Sequence, residues 1–146
     1  MILKKQLHLY FGILLMFALF SCAGDKAVPI KLNSDNCDFC KMGIADGKCG
    51  AEIITRKGRV YKLDDISCMV HYCKENHDME IKAHYIHDYN QENMLIPAES
   101  AYFISGTSVK TPMHGQVIGF SNPTEAKEFE ARLNAKPIKW EQVLGK

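Results

Sequence analysis

Apolar positions fall in short runs along this chain, and their spacing changes from one segment to the next. The longest run is residues 10–20, YFGILLMFALF. It is shorter than the roughly 20 residues a helix needs to cross a bilayer core. Lys4 and Lys5 precede it, and a small residue, Ser21, follows. A charged start, a short apolar middle and a small residue before the cut are the layout of an export signal. Further on, residues 51–55 (AEIIT) and 59–63 (RVYKL) predict two strands, with Lys57-Gly58 between them as a hairpin turn. Ile66, Met69, Val70 and Cys73 share one helical face, and Asp64 can cap that helix. Residues 80–88 (EIKAHYIHD) alternate and predict a strand. Residues 100–105 (SAYFIS) and 116–121 (QVIGFS) predict two more. Asn122-Pro123-Thr124-Glu125 starts a second helix, with Asn as cap, Pro at the first position and Glu at the third. Ala126, Phe129 and Leu133 give it an apolar stripe, and residues 136–143 (KPIKWEQV) predict a final strand. Strand, strand, helix, strand, twice over, predicts an α+β fold: two small ββαβ-like halves in one compact unit.

The remaining segment, residues 23–36, is polar, contains Pro29 and shows no period. It reads as a tether. Leu19-Phe20-Ser21-Cys22 resembles a bacterial lipobox, in which the Cys is lipidated and begins the mature chain. Phe20 is bulkier than the residue usual at its position. The expected organisation is a lipoprotein signal peptide over 1–21, lipidated Cys22 and a flexible tether over 22–36, and a folded domain over 37–146. Several acyl chains give the firm anchoring that one chain does not. The expected location is the cell envelope, facing the periplasm or the cell exterior.

Charge narrows the partners. Removing residues 1–21 takes away two of the 18 basic residues and none of the 17 acidic ones, leaving 16 against 17. Nothing in that balance makes a basic face for nucleic acid.

Sulfur is where the chain is unusual. Five cysteines follow Cys22, at 37, 40, 49, 68 and 73. Cys37-Asp38-Phe39-Cys40-Lys41-Met42 places two thiols and a thioether close together, soft donors suited to Cu(I). Cys-x-x-Cys also fits a structural disulfide or a redox dithiol, and spacing leaves all three open. Gly43, Gly47 and Gly50 follow it, so a helix that would activate a redox thiol is not expected there. Asp64 and Asp65 read as helix cap and first-turn residues, Met69 and Cys73 as core, and Cys68 is undecided. Thr111-Pro112-Met113-His114-Gly115 puts a thioether beside an imidazole in a turn. His71, His77, His84 and His87 read as surface or strand-face residues. No nucleophile, base and orienting group come together, so an enzyme is not expected.

Three of these segments together resemble the NosL family, copper-binding lipoprotein accessory factors of nitrous oxide reductase. They are Cys37-x-x-Cys40-x-Met42, KLDDISCM (residues 62–69) and TPMHGQVIGFSNPTEAKEF (residues 111–129). The resemblance spans residues 37–143. It implies two ββαβ halves and a membrane-anchored chaperone that binds Cu(I). It implies transfer to apo nitrous oxide reductase or to a copper-enzyme assembly machinery. By motif it makes Cys40, Met42 and Met113 the copper ligands, with His114 and Cys37 as further donors. The family usually has Gly where this chain has Lys41. The rival expectation is a thiol-disulfide oxidoreductase using Cys37 and Cys40.

Overall fold

The computed structural model describes residues 26–145. The expected signal peptide and the lipidation of Cys22 lie outside the described residues. No helix among the described residues is long and apolar enough to cross a membrane.

The first half is built on β1 (Ala51–Thr55), β2 (Val60–Leu63), α1 (Ile66–Glu75), β3 (Ile81–His87) and β4 (Leu95–Pro97). These strands form an antiparallel sheet in the order β2-β1-β3-β4. All five residues of β1 are buried, as a central strand covered on both faces should be. The β1–β2 hairpin turns where expected, at Gly58, whose φ of +80° is one that glycine adopts without strain. Asp65, not Asp64, caps α1: its carboxylate accepts from the Cys68 N–H at 3.0 Å. Of the expected helix stripe, Ile66 and Met69 are buried, and Val70 and Cys73 pack half-buried against the same core.

The second half contains β5 (Tyr102–Ser105), β6 (Val117–Phe120), α2 (Pro123–Leu133) and β7 (Lys136–Ile138), with sheet order β6-β5-β7. The Asn122 carboxamide accepts from the Thr124 N–H at 2.9 Å, as the cap signal predicts. Side chains alternate along β5. Phe103 joins the core of the first half, while Ile104 joins Ile118, Phe120 and Ala126 beneath α2. The second sheet is therefore a shared layer between the first sheet and α2. Gly119 permits the approach, since a Cβ there would lie 2.1 Å from Ile86 Cδ1.

The α+β expectation and the two ββαβ halves match this architecture, with differences at three places. Residues 136–143 are not one strand. β7 ends at Ile138, and α3 (Trp140–Val143) follows, its start fixed by Lys139 N–H donating to Gln142 Oε1 at 3.0 Å. Trp140 then stacks on Phe103, centroids 5.4 Å apart. β4 is an added edge strand that its short sequence did not signal.

The third difference is at the domain boundary. Residues 28–36, expected in the tether, are packed on the domain. Ile30 is buried in the core. The Val28 N–H donates to the buried Glu52 carboxylate at 3.0 and 3.1 Å. Lys62 Nζ lies 2.6 Å from Asp35 and donates to the Pro29 carbonyl. The folded unit begins near Val28 rather than at Cys37.

Candidate metal centre

Two loops and one helix start converge at one edge of the first half. The first loop, residues 37–42, is closed at its base by pairing of Asn36 with Gly43 and by Cys37 N–H donating to the Met42 carbonyl at 2.8 Å. Asp38 pins it along β2. The Asp38 N–H donates to the Lys62 carbonyl, and the Lys62 N–H returns a bond to the Asp38 carboxylate, each at 2.8 Å. Phe39 stacks on His71 of α1, centroids 5.4 Å apart and planes within 13°. The loop is thereby held against the first turns of α1, where Cys68 sits.

The outcome is a cluster of three thiols. The Sγ atoms of Cys37, Cys40 and Cys68 all lie within 4.8 Å of one another. A metal–sulfur bond of about 2.3 Å sets sulfurs about 4 Å apart around one ion, so a small inward movement closes the set. Cys37 and Cys68 are buried and Cys40 is half-buried. No disulfide joins the five cysteines described.

The three thiols are electrostatically unequal. Cys37 is held down to about 5 by the Cys68 thiol donating to its sulfur, against the cost of burial. Backbone N–H groups of Cys40, Asp64 and Phe39 support the same charge. The Cys40 N–H lies 3.5 Å from Cys37 Sγ. Cys68 is pushed up because it donates that bond and then because it is buried. Cys40 is raised chiefly by burial. Asp64 rises to about 6, through burial and then the nearby Cys37 charge. The arrangement favours negative charge on Cys37 over Cys40 and Cys68.

The second loop, residues 111–116, is tied to the same helix start through Asp65. One carboxylate oxygen accepts from Ser67 Oγ (2.6 Å) and Cys68 N (3.0 Å). The other accepts from Thr111 Oγ1 and Met113 N, both at 2.9 Å. Gly115 allows the close approach: a Cβ there would lie 2.6 Å from Ser67 Cβ. Met113 is half-buried and packs against the first core. His114 is exposed, with a φ of +57°.

The expected donors thus separate into groups. Cys37 and Cys40 meet, and Cys68, which sequence left undecided, completes the cluster. Met42 stands at the surface, 49% exposed, on the same loop as Cys40. Met113 is held over the α1 start, and His114 faces outward. The signal for Cys68 was its place three residues after the capping Asp65, which fixes it on the first helical turn. Lys41 has a φ of +66°, in the left-handed region that glycine adopts more easily than lysine. Its Nζ donates to the Asp38 carbonyl.

A family model described as NosL matches residues 29–145. The chain belongs to the NosL family. Among family members it is 27% identical to the copper-binding lipoprotein NosL of Stutzerimonas stutzeri, over 90% of this chain and 77% of that protein. It superimposes on the crystal structure of the copper chaperone NosL from Shewanella denitrificans with a TM-score of 0.70 at 19% identity. That match covers 82% of this chain and 96% of the other. The NosL match starts at residue 29, as the packing of residues 28–36 requires.

Proposed function

We propose that the protein is a lipid-anchored carrier of Cu(I) that passes the ion to an extracytoplasmic copper enzyme, with nitrous oxide reductase as the recipient. The observation that carries this reading is the Cys37–Cys40–Cys68 cluster, with thioethers on the two loops beside it. Thiolate and thioether select soft ions. Structural zinc sites close four positions with N, O or S donors; three thiols backed by Met42 and Met113 suit Cu(I) better. Two relatives named for copper support the same assignment.

The site is graded from inside to outside. Cys37 and Cys68 are buried, Cys40 is half-buried and Met42 is exposed. Cu(I) enters over Met42 and Cys40 and displaces the thiol protons of Cys40 and Cys68. Release reverses the order: a recipient's sulfur or imidazole binds as Cys40 lets go, so the ion is never free in water. Met113 and His114 are donors available from the second loop when it closes. Lipid on Cys22 holds the carrier at the membrane.

The oxidoreductase reading is disfavoured by access. An attacking cysteine must be both thiolate and reachable. Here the low-pKa thiol, Cys37, is fully buried, and the reachable Cys40 is shifted up.

The test is a Cu(I) competition titration of the reduced mature protein against a chromophoric chelator. Cys40→Ser, Cys68→Ser and the double Met42→Ala, Met113→Ala variant should each bind weaker. The Cys variants should lose more than the roughly 10–100-fold typical of lost outer-shell partners. Tight stoichiometric binding in both Cys40→Ser and the double Met variant would overturn the site. Loaded protein mixed with apo nitrous oxide reductase should pass copper to it despite excess chelator; no transfer would overturn the recipient.

A further inference from the structure

α1 presents a second thiol to a different face. Cys73 lies five residues beyond Cys68, about 7.5 Å further along the helix and about 140° around it. It faces an open cleft of about 440 Å³ whose walls include Val70, Cys73, His77, Met79, Ile81 and His84. One thiol, one thioether and two imidazoles in a single cleft are soft and borderline donors of the kind copper takes.

His84 carries the argument. Its Nδ1 lies 3.0 Å from Glu99 Oε1, while its Nε2 is buried with no hydrogen-bond partner among the described residues. A carboxylate on one ring nitrogen keeps the proton there and leaves the lone pair on the other. Metal-binding histidines are oriented in this way. Trp140 packs edge-on to the ring, centroids 5.3 Å apart, and holds it. A buried nitrogen without a partner costs free energy that a bound cation recovers. Cys73 and Met79 are half-buried on the adjacent walls, and His77 is at the exposed rim.

We propose a second Cu(I) site formed by Cys73 Sγ, Met79 Sδ and His84 Nε2, with His77 at its mouth. Binding releases the Cys73 thiol proton to water and moves no electrons. With one thiolate and an open mouth, the site binds more weakly than the three-thiol cluster and loads after it. The proposal is independent of the carrier reading, because each site answers to its own variants.

The experiment titrates reduced, metal-free mature protein with Cu(I), counting equivalents by native mass spectrometry and following histidine ring nitrogens by NMR. The expected result is two equivalents, with the His84 Nε2 resonance moving only on the second. Cys40→Ser should remove the tighter equivalent and leave the His84 response. His84→Gln should abolish the weaker equivalent. The nearly isosteric Met79→Leu, which keeps the core volume, should weaken it about 10-fold, and this decides the matter if His84→Gln does not fold. Saturation at one equivalent, a His84 resonance indifferent to copper, or an unchanged second equivalent in Cys73→Ala would overturn the proposal.

Discussion

Removing the Asp65 carboxylate should loosen the site and the fold together. Asp65 is 1% exposed and accepts four hydrogen bonds, two from the start of α1 and two from the loop carrying Met113. In Asp65→Ala the cap loss costs about 0.5–2 kcal/mol. The Thr111 hydroxyl and Met113 N–H are left unpaired, at about 1–3 kcal/mol each. Water entering the gap, and relief from burying a carboxylate, offset part of this. The net loss should be about 3–5 kcal/mol, against a total of about 5–15 kcal/mol for a domain. The variant should fold but melt about 10–20 °C lower. Because Cys68 and Met113 both depend on this carboxylate for position, Cu(I) affinity should fall about 10–100-fold, as when an outer-shell partner is lost. Thr111→Val removes one of the four bonds and should cost about 1 kcal/mol. The assay is urea unfolding of reduced, metal-free protein, paired with the competition titration. A loss below about 1 kcal/mol in Asp65→Ala, with an unchanged m-value, would refute the claim that this carboxylate joins the two loops.

Two further outcomes follow from the same geometry. Cys37 is depressed to about 5 in the fold, so its contribution to stability is lost as pH falls through 5 and grows up to the ordinary thiol range near 9. Cys40 and Cys68 are raised and oppose this only above about 9, while Asp64, raised to about 6, opposes it only below about 6. Reduced, metal-free protein should gain stability from pH 6 to 9 in denaturant titrations, and Cys37→Ala should flatten that rise; an equal slope in both would count against the buried thiolate. Lys41→Gly relieves a left-handed lysine, worth about 1–2 kcal/mol, against about 0.5–1 kcal/mol of added chain entropy. It should raise the melting temperature by a few degrees; a lower melting temperature would show that the Lys41–Asp38 bond outweighs the strain.

Sequence pattern reached the elements whose signals are local. The Asn122–Pro123 cap, the Gly58 turn, the short apolar runs of β1, β5 and β6 and the alternation of β3 each need only neighbouring residues. What it missed depends on distant partners. Ile30 and Pro29 lie in a segment with no period, yet Glu52 and Lys62 bind it. Cys68 joins Cys37 because Asp38 pairs with Lys62 across 24 positions, which no window of the chain reveals. Residues 136–143 divide because Gln142 turns back to cap Lys139 and Trp140 finds Phe103. Of the candidate donors, the Cys37–Cys40 pair was legible from spacing. The separation of Met42 and His114 from the buried sulfurs was not, since it depends on which side of each loop faces the core.

The tight contact at Gly119 has a mechanical consequence. Ile86 fills the space a side chain at position 119 would need, so even one added methyl group there must shift Ile86 or part the two halves. Residues 37–42 and 111–116 are each tied to the first half by long-range bonds, the one through Asp38 to Lys62 and the other through Thr111 and Met113 to Asp65.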